Sequence, residues 1–343
     1  MISITEKTLK DLEFHTILQT ISDRCNTEIG MEKALQIQPF KNKETLFSEL
    51  AYTNEYVSSF TNNNALPNHG FETVTSDLKL LAIEDSFLEL PAIKKILDLT
   101  KSTNEYLKFL KKFKEYYPEL FQKSAEIEFT PFITKSIEEI VNKYGEIKDD
   151  ASPDLVNIRR SINVVRGKIN QSFGMALSHF NSLGYLDDIK ETVVDNRRVL
   201  AVQAMYRKKV KGSILGNSKT GSIAYIEPET TLTYSRELNN LEFEEREEIM
   251  RILRVLSATI RPYVNLISQY QDFLSDIDVI AAKAKYANRI NGILPKINNE
   301  KRLFFREAFH PILLLNNKAE NKPTFPQTIE LESNNRIIVI SGP

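Results

Sequence analysis

The sequence DNRRVLAVQAMYRKKVKGSILGNSKTGSIAYIEPE, residues 195–229, is the one clearly β-like stretch of this 343-residue chain, and both of its flanks have the periodicity of long helices. Side chains over Val199–Tyr206 alternate between an apolar and a more mixed face, which predicts a strand. Lys208–Leu215 predicts a second extended segment and Ser222–Ile226 a third strand, with turn-forming residues between them at Gly216–Gly221. The stretch therefore predicts a small antiparallel sheet.

This segment is strongly basic, although the whole chain is nearly neutral, with 45 Lys and Arg against 46 Asp and Glu. Between residues 195 and 228, only Asp195, in the predicted entry turn Asp195-Asn196, and Glu227 offset the cations. A local excess of positive charge is typical of a surface that contacts nucleic acid, but charged residues also protect edge strands from aggregation. Charge alone leaves both interpretations open. The basic residues are Arg197, Arg198, Arg207, Lys208, Lys209, Lys211 and Lys219.

Both flanks predict long helices. Upstream, apolar residues recur three or four positions apart over Leu155–Phe180, a heptad-like seam that needs a partner helix. Ser152-Pro153-Asp154 predicts its start and Gly184 its end. Downstream, a similar pattern over residues 231–270 predicts the partner. Two helices that leave and return to one sheet should lie antiparallel. A helix of about thirty residues, with a rise of about 1.5 Å per residue, would place the sheet roughly 40 Å from the rest of the protein.

The remaining chain divides into a helical and a strand-rich part. Residues 1 to about 150 have helical periodicity, beginning with one apolar face over Leu9–Ile21, and a further helix continues from about residue 271 to Tyr286. Beyond the Pro295–Glu300 boundary the pattern changes to short apolar runs. The strands predicted there are Leu303–Phe305, Pro311–Leu315, Thr328–Leu331 and Ile337–Ser341.

Several classes of function are disfavoured by the composition. The single Cys25 excludes an intramolecular disulfide framework, and four histidines show no zinc-site spacing. The chain has no apolar leader or long apolar run, so a soluble cytoplasmic protein is expected, with no membrane partner. Cys25 with His15 could form a nucleophile and base, but a small buried thiol on a helix is the favoured interpretation.

The last predicted strand runs into Gly342-Pro343. A strand that delivers its carboxyl end to a glycine is how the phosphate-binding loop G-x-x-x-x-G-K-[ST] opens. A simple terminal strand has the same appearance, so this feature alone decides nothing.

Four motifs together resemble the MutS family of DNA-transaction ATPases, and specifically its second bacterial branch, which lacks the mismatch-reading and connector domains. The most specific is GNSKTGSIAYIEP at Gly216–Pro228. It keeps the family frame G-x-S-x-S-G-x-T-x-[FY]-[IV]-[ED]-P, with Thr220 and Ile223 where Ser and Thr are usual. The other three are Leu12-Glu13-Phe14 with Ile17, His310-Pro311, and Ile338-Val339-Ile340-Ser341-Gly342-Pro343.

The resemblance implies a mainly α protein in which a helical core and long antiparallel lever helices carry a small antiparallel β clamp. A few C-terminal strands would begin a P-loop ATPase domain. The implied order is residues 1–150 as the first part of the core, 151–184 as a lever helix, 185–230 as the clamp, 231–270 as the second lever helix, 271–299 as the return to the core, and 300–343 as the start of the ATPase domain.

The resemblance also implies a function. The full-length protein would be a homodimeric ATPase that binds branched or mismatched DNA and suppresses homologous recombination, and a nuclease domain could follow. ATP and Mg²⁺ are expected in that protein, whereas the present stretch should be non-catalytic with neither bound. The seven basic residues would contact phosphates. The residues that match the family's nucleotide-binding segments are Phe309, His310, Pro311, Gly342 and Pro343.

Two other functions remain open. Members of this branch also resemble a ribosome-associated clamp ATPase that acts on stalled or collided ribosomes, and phosphate contacts alone do not separate DNA from RNA. The arm and sheet could instead bind another protein without any nucleic acid. Weak dependence of binding on salt would favour that third function.

Overall fold

The computed structural model describes residues 4–300 and 302–339, and within them the chain is mainly helical with two small antiparallel sheets. These residues form two compact units. The first contains the described parts of Met1–Ala82, Pro91–Thr134 and Pro262–Pro343, and the second contains Ile83–Leu90 and Lys135–Arg261. None of the described helices is long and apolar enough to span a membrane.

Eight helices of 6 to 23 residues build most of the described chain up to residue 140, as the apolar spacing predicts. Polar side chains begin several of them: the Thr27 hydroxyl accepts the N–H of Gly30 at 3.0 Å, and the Asn42 side-chain oxygen accepts that of Glu44 at 2.8 Å. Such N-caps satisfy backbone donors that have no partner inside the helix. These helices are α1 (Glu6–Asp11), α2 (Phe14–Ser22), α3 (Glu28–Leu35), α4 (Lys43–Ser58), α5 (Thr75–Leu81), α6 (Leu90–Lys112), α7 (Pro118–Lys123) and α8 (Phe132–Ile140).

The apolar face predicted over Leu9–Ile21 is divided between α1 and α2. The break lies at Glu13, whose backbone takes a left-handed conformation with φ of 51°. Residues with a side chain rarely adopt this conformation, and apolar spacing carries no signal for it. Leu9, Leu18 and Ile21 are nevertheless buried. The pattern thus identified these inward-facing positions but not the end of the first helix.

A buried carboxylate in helix α11 (Val264–Arg289) joins three segments of the first unit. Asp278 is fully buried, and its oxygens accept hydrogen bonds of 2.7–3.1 Å from the N–H groups of Asn26 and Thr27, the Thr27 hydroxyl and the His69 ring. Helix α3 passes so close that a Cβ at Gly30 would lie 2.3 Å from an Asp278 oxygen. A larger residue at position 30 would therefore displace the carboxylate or the helix.

The same donors keep Asp278 ionised. Burial alone would raise the pKa of its carboxyl, but hydrogen bonds from His69, Asn26 and Thr27 outweigh burial and hold the pKa below its ordinary value. A carboxyl with a lowered folded-state pKa stabilises the fold above its unfolded pKa of about 3.9. This contribution is lost as the pH falls through the folded-state pKa. Asp278 therefore stabilises the first unit at neutral pH and not in strong acid.

Two long antiparallel helices, α9 (Pro153–Ser182) and α10 (Glu229–Ile260), dominate the second unit. Three polar contacts join the two helices. From one contact to the next, the residue number rises from the start of α9 onward and falls along α10, so the helices are antiparallel, as the sequence predicted. Buried apolar residues of both helices, including Ile162 and Leu253, accompany these contacts. The contacts are Ser152–Glu248 at 2.5 Å, Arg159–Glu245 at 2.7 Å and Arg166–Glu242 at 3.1 Å.

The start of α9 is fixed by Ser152. Its hydroxyl accepts the N–H of Leu155 at 3.0 Å as an N-cap and donates to Glu248. The Arg251 guanidinium, 2.7 Å from each Glu248 oxygen, outweighs burial and together with Ser152 lowers the pKa of this carboxyl. The predicted stop is also observed, because Gly184 has a left-handed φ of 68° just beyond the helix.

The second long helix ends at Ile260, so the prediction that it continues to Tyr270 is wrong. Arg261–Tyr263 form a single 3-10 turn, after which α11 begins. Pro262 explains the break, because proline has no N–H to donate and its ring clashes with the preceding helical turn.

The region after the Pro295–Glu300 boundary contains two described strands. They follow the four strands of the second unit, which are β1 (Leu186–Val194), β2 (Arg197–Gln203), β3 (Gly212–Asn217) and β4 (Ile223–Pro228). The two are β5 (Leu303–Ala308) and β6 (Gln327–Leu331), which pair antiparallel and confirm the predictions for Leu303–Phe305 and Thr328–Leu331. Ile337–Val339 form no strand. The remainder of that predicted strand, together with Gly342 and Pro343, lies outside the described residues.

The strand predicted at Pro311–Leu315 is wrong. These residues begin helix α12 (Pro311–Ala319). Pro311 occupies the first turn, where a missing N–H costs nothing, and the His310 ring accepts the N–H of Leu313 at 3.3 Å as the N-cap. A run of apolar residues this short does not by itself distinguish a strand from a helix.

Cys25 is the buried thiol that the sequence favours. It is 6% exposed, and burial raises its pKa to about 12, so the thiolate needed for nucleophilic chemistry does not form at neutral pH. His15 is exposed and lies 3.2 Å from Glu6. The two residues do not form a nucleophile and base.

We expect Asp278→Asn to lower the free energy of unfolding at pH 7 by about 2–3 kcal/mol, because hydrogen bonds to a charged acceptor are lost. Urea unfolding followed by circular dichroism from pH 7 to pH 3 measures the effect. The difference from wild type should shrink in acid, since wild type loses the same charge there. Asp272→Asn on the same helix, whose side chain is 67% exposed, is the control and should change stability little. Equal effects of both variants would contradict the role of Asp278.

Candidate nucleic-acid interface

The sheet of the second unit has four antiparallel strands in the order β1-β2-β4-β3. The sequence predicted three of them and missed β1, whose start, LDDIKE, is mostly polar. The turn Asp195-Asn196 is confirmed: both residues have positive φ, 49° and 59°, as a two-residue hairpin of this twist requires. The strands are β1 (Leu186–Val194), β2 (Arg197–Gln203), β3 (Gly212–Asn217) and β4 (Ile223–Pro228).

Strand β2 is buried on both faces. Each residue of Val199–Val202 is at most 1% exposed. The strand predicted to continue to Tyr206 ends at Gln203. β2 and β4 are the two central strands, and Phe173 of α9 packs on one face of them. The buried cluster on that face is Phe173, Leu186, Leu200, Val202, Val210, Ala224 and Ile226.

The strand registers determine where the chain must run between β2 and β3. Gln203, the last residue of β2, pairs with Ile223 at the start of β4. Gly212, the first residue of β3, pairs with Pro228 at the end of β4. The connection therefore starts at one end of the sheet, called here the outer end, and finishes at the other.

Residues 204–211 form this connection, called here the crossover. It opens with a 3-10 turn at Ala204–Tyr206, and Val210 anchors it in the buried cluster. Lys208–Lys211 lie outside the sheet ladder, so the extended segment predicted at Lys208–Leu215 is a strand only from Gly212 onward. The crossover displays its charged side chains at the surface, and its backbone is bonded at both ends: the Ala204 N–H donates to the Ser222 carbonyl oxygen at 2.8 Å, and the Lys211 carbonyl oxygen accepts the Glu229 N–H at 3.1 Å.

One buried carboxylate fixes β4 to strand β2 and to helix α10. Glu227 is 1% exposed; one of its oxygens accepts the Ser235 hydroxyl of α10 and the other accepts the Arg197 guanidinium of β2 at 3.1 Å. A buried carboxylate is costly without such donors. The position of β3 is equally constrained, because a Cβ at Gly212 would lie 2.1 Å from the Glu227 carbonyl oxygen.

Two of the seven predicted contact residues, Arg197 and Arg198, are engaged inside the unit. Arg197 bonds Glu227, as described. Arg198 bonds Glu191 at 2.6 Å and lies 4.4 Å from the centre of the Phe173 ring. Guanidinium groups suit such paired and stacked positions. These two arginines hold the sheet together and are only partly available to a ligand.

The other five predicted contact residues are exposed. Within the part of the chain that the structure describes, none of them has an ion pair with a carboxylate. Unpaired exposed cations keep their full charge for a partner, whereas Arg197 and Arg198 share theirs with carboxylates. The five are Arg207, Lys208, Lys209 and Lys211 on the crossover and Lys219 in the β3–β4 turn.

The β3–β4 turn places Lys219 at the outer end of the sheet. The Ser218 N–H donates to the Ile223 carbonyl oxygen at 2.9 Å, and the Ser218 hydroxyl accepts the Ile223 N–H at 3.1 Å. Gly221 has φ of 71°, which glycine adopts without strain. The motif at Gly216–Pro228 thus encodes a tight turn with an exposed lysine beside its centre.

Sequence reasoning missed an aromatic feature at the same end. Tyr185 and Tyr206 stack with ring centres 4.6 Å apart, and Lys209 lies 5.5 Å from both. The two tyrosines are separated by strands β1 and β2, so no local pattern could have predicted that they meet. The structure therefore adds two aromatic side chains to the cationic surface.

The residues proposed for nucleotide binding are only partly covered by the structure. Phe309 is 44% exposed, while His310 and Pro311 begin α12. One ring nitrogen of His310 is occupied by its capping contact. Gly342 and Pro343 lie outside the described residues, so the predicted phosphate loop is not tested.

The chain is similar over nearly all of its length to bacterial proteins named Endonuclease MutS2. The proteins from Leuconostoc mesenteroides and Ligilactobacillus salivarius are both 29% identical to it, and each alignment covers 99% of this chain. The protein from Staphylococcus carnosus is 28% identical over 98% of the chain. The chain spans only 42–43% of the length of these relatives. No protein-family model matches it.

The mainly helical fold, with a long antiparallel helix pair bearing a small sheet, is the arrangement that the resemblance to MutS-like proteins implied. The matches confirm the resemblance predicted from the four motifs, which is to the MutS2-type branch of the MutS family.

We expect Glu227→Gln to lower the free energy of unfolding of the second unit by about 1–3 kcal/mol, because a buried charged acceptor is lost and Arg197 keeps no carboxylate partner. Hydrogen exchange of amides in β4 and in the first turns of α10 reports this loss locally. Glu191→Gln, which breaks the more exposed pair with Arg198, is the matched control and should cost less than about 1 kcal/mol. Unchanged protection of β4 in Glu227→Gln would disprove the anchoring role.

Proposed function

We propose that this chain is the core, lever and clamp portion of a MutS-like DNA-binding ATPase that acts on branched or mismatched DNA and suppresses homologous recombination. The observation that carries the proposal is the group of five exposed cations, four on the crossover and one in the β3–β4 turn, without carboxylate partners among the described residues. They lie on a sheet attached to a pair of long helices. This arrangement suits a surface that closes on a polyanion.

In this proposal, residues 1–150 and 271–299 form the core, and residues 185–230 form the clamp. The lever comprises residues 151–184 and the helix that follows the clamp, which ends at Ile260. Phosphate contacts from the five cations would hold nucleic acid without reading its sequence. Arg197 and Arg198 would act mainly by keeping the sheet in shape.

We further propose that residues 300–343 begin a P-loop ATPase domain in the full-length protein. Phe304 and Phe305 follow each other on β5 and so point to opposite faces, and they are 46% and 48% exposed. A two-stranded sheet with apolar side chains open on both faces is marginal by itself, which favours cover by further strands. Phe309, His310 and Pro311 would lie near the nucleotide, with Gly342 and Pro343 in the phosphate loop.

ATP and Mg²⁺ would then bind the full-length protein, which we propose to be a homodimer whose two arms close around duplex DNA. ATP binding would move the arms. The name of the relatives includes an endonuclease activity, and we propose that the full-length protein carries a nuclease domain as well.

Reversing Lys208, Lys209 and Lys211 to Glu should weaken binding of the full-length protein to four-way branched DNA at least tenfold at low salt. Each lost phosphate contact should reduce the slope of log K against log salt concentration by about 0.9, giving a total change of about 2–3. Fluorescence anisotropy in the presence of ATP measures both quantities, with linear duplex and purified ribosomes as further ligands.

The matched control reverses three exposed lysines on helices α5, α6 and α8, Lys79, Lys94 and Lys135, and so changes the net charge equally. It should bind like wild type. Equal weakening by both triple variants would mean that only net charge matters and would contradict the assigned surface. If wild type binds ribosomes more tightly than branched DNA or linear duplex, the same surface would instead serve a role in translation quality control.

A further inference from the structure

The stacked tyrosines at the outer end of the sheet provide a binding feature that charge alone does not explain. Phe180, Tyr185 and Tyr206 form a row: the first two ring centres are 6.4 Å apart at 24°, and the last two are 4.6 Å apart at 18°. These are offset-stacked geometries. Tyr185 stacks with both of the other rings, whereas Tyr206 has no further stacked partner among the described aromatic residues.

We propose that Tyr206 stacks an unpaired nucleobase, so that the outer end of the sheet selects nucleic acid with exposed bases over intact duplex. This inference rests on the proposed nucleic-acid binding and names its substrate class more closely. In an intact duplex every base is stacked on its neighbours. At a gap, a fork or a loop, a base is free to extend the row of three rings.

Lys209 lies beside the two stacked tyrosines and not beyond the last ring of the row. Its amino group is 5.5 Å from the ring centres of both tyrosines, which are themselves 4.6 Å apart. A point equally distant from two stacked rings lies beside the stack and not beyond its last ring. Lys209 therefore borders the ring without covering the face turned away from Tyr185, and its charge is available to the phosphate of a stacked nucleotide.

The backbone holds Tyr206 in place before any ligand binds. The Ala204 N–H donates to the Ser222 carbonyl oxygen at 2.8 Å, which joins the first residue of the crossover to the β3–β4 turn. The Lys209 N–H donates to the Tyr206 carbonyl oxygen at 2.8 Å and closes the next turn. The Tyr206 side chain is partly exposed and rests against the buried cluster. A ring held in this way loses little freedom on binding.

Tyr206 has basic residues next to it in the sequence and in the neighbouring turn. Arg207 and Lys208 follow it directly and are exposed, and Lys219 lies in the turn that Ala204 contacts. Aromatic rings beside a cationic track are the usual means of binding single-stranded nucleic acid without sequence preference. Since every base has a stacking face, DNA and RNA are both compatible with the site.

The test compares full-length wild type, Tyr206→Ala and Tyr206→Phe on three ligands: intact duplex DNA, the same duplex with a short single-stranded gap, and the corresponding gapped RNA. A 2-aminopurine in the gap reports stacking by loss of its fluorescence. We expect wild type to prefer the gapped ligands and quench the probe. Tyr206→Ala should bind gapped ligands about tenfold more weakly, lose the quenching and bind duplex within twofold of wild type, whereas Tyr206→Phe should match wild type throughout.

Several results would overturn the inference. Equal binding of wild type to gapped and intact ligands would exclude base selection while leaving the proposed function intact, and no binding to any of them would remove both. An equal loss by Tyr206→Ala on duplex and gap would make the tyrosine a structural residue only. Hydrogen exchange of the sheet shows whether Tyr206→Ala has a folding defect. If it does, Tyr206→Leu is used instead, because leucine is apolar and larger than alanine but cannot stack on a base. A Tyr206→Leu variant that still prefers gapped ligands would also contradict the proposal.

Discussion

The cost of burying a carboxylate governs how the second unit is assembled. Glu227 is out of contact with water at the junction of β4 and α10, and it is tolerable there only because Ser235 and Arg197 both donate to it. The two donors belong to different elements, so satisfying one charge fixes a helix and two strands relative to each other. The first unit uses the same device at Asp278, where donors from around residue 26 and from His69 converge on one helix.

This requirement separates the basic residues of the sheet into two groups. Arg197 and Arg198 use their charge within the unit, one on Glu227 and the other on Glu191 and the Phe173 ring. The cations of the crossover and of the β3–β4 turn have no such partner among the described residues. A sequence that looks uniformly basic thus contains a structural pair and an outward-facing set, and only the outward-facing set is suited to an external phosphate.

The long helices and central strands were predictable because their periodicity is sustained over many residues. Ser152 and Gly184 marked the limits of α9, and Asp195-Asn196 marked a hairpin, since each of these residue types has a specific backbone role. Other features depend on tertiary contacts or on single residues. β1 is a largely polar edge strand, Pro262 ends a helix whose apolar pattern continues past it, and the short run after His310 is a helix because of its cap. The pairing of Tyr185 with Tyr206 arises only when two intervening strands bring them together.

The crossover has a consequence for how such proteins diverge. Because β2 ends where β4 starts and β3 starts where β4 ends, the chain must travel the length of the sheet outside the ladder. Val210 belongs to the buried cluster and Tyr206 packs against it, whereas the charged side chains of this path are exposed. Substitutions at the exposed charged positions would leave strand register and core unchanged. Relatives can therefore acquire different ligand preferences in a segment of a few residues while the fold that presents it stays the same.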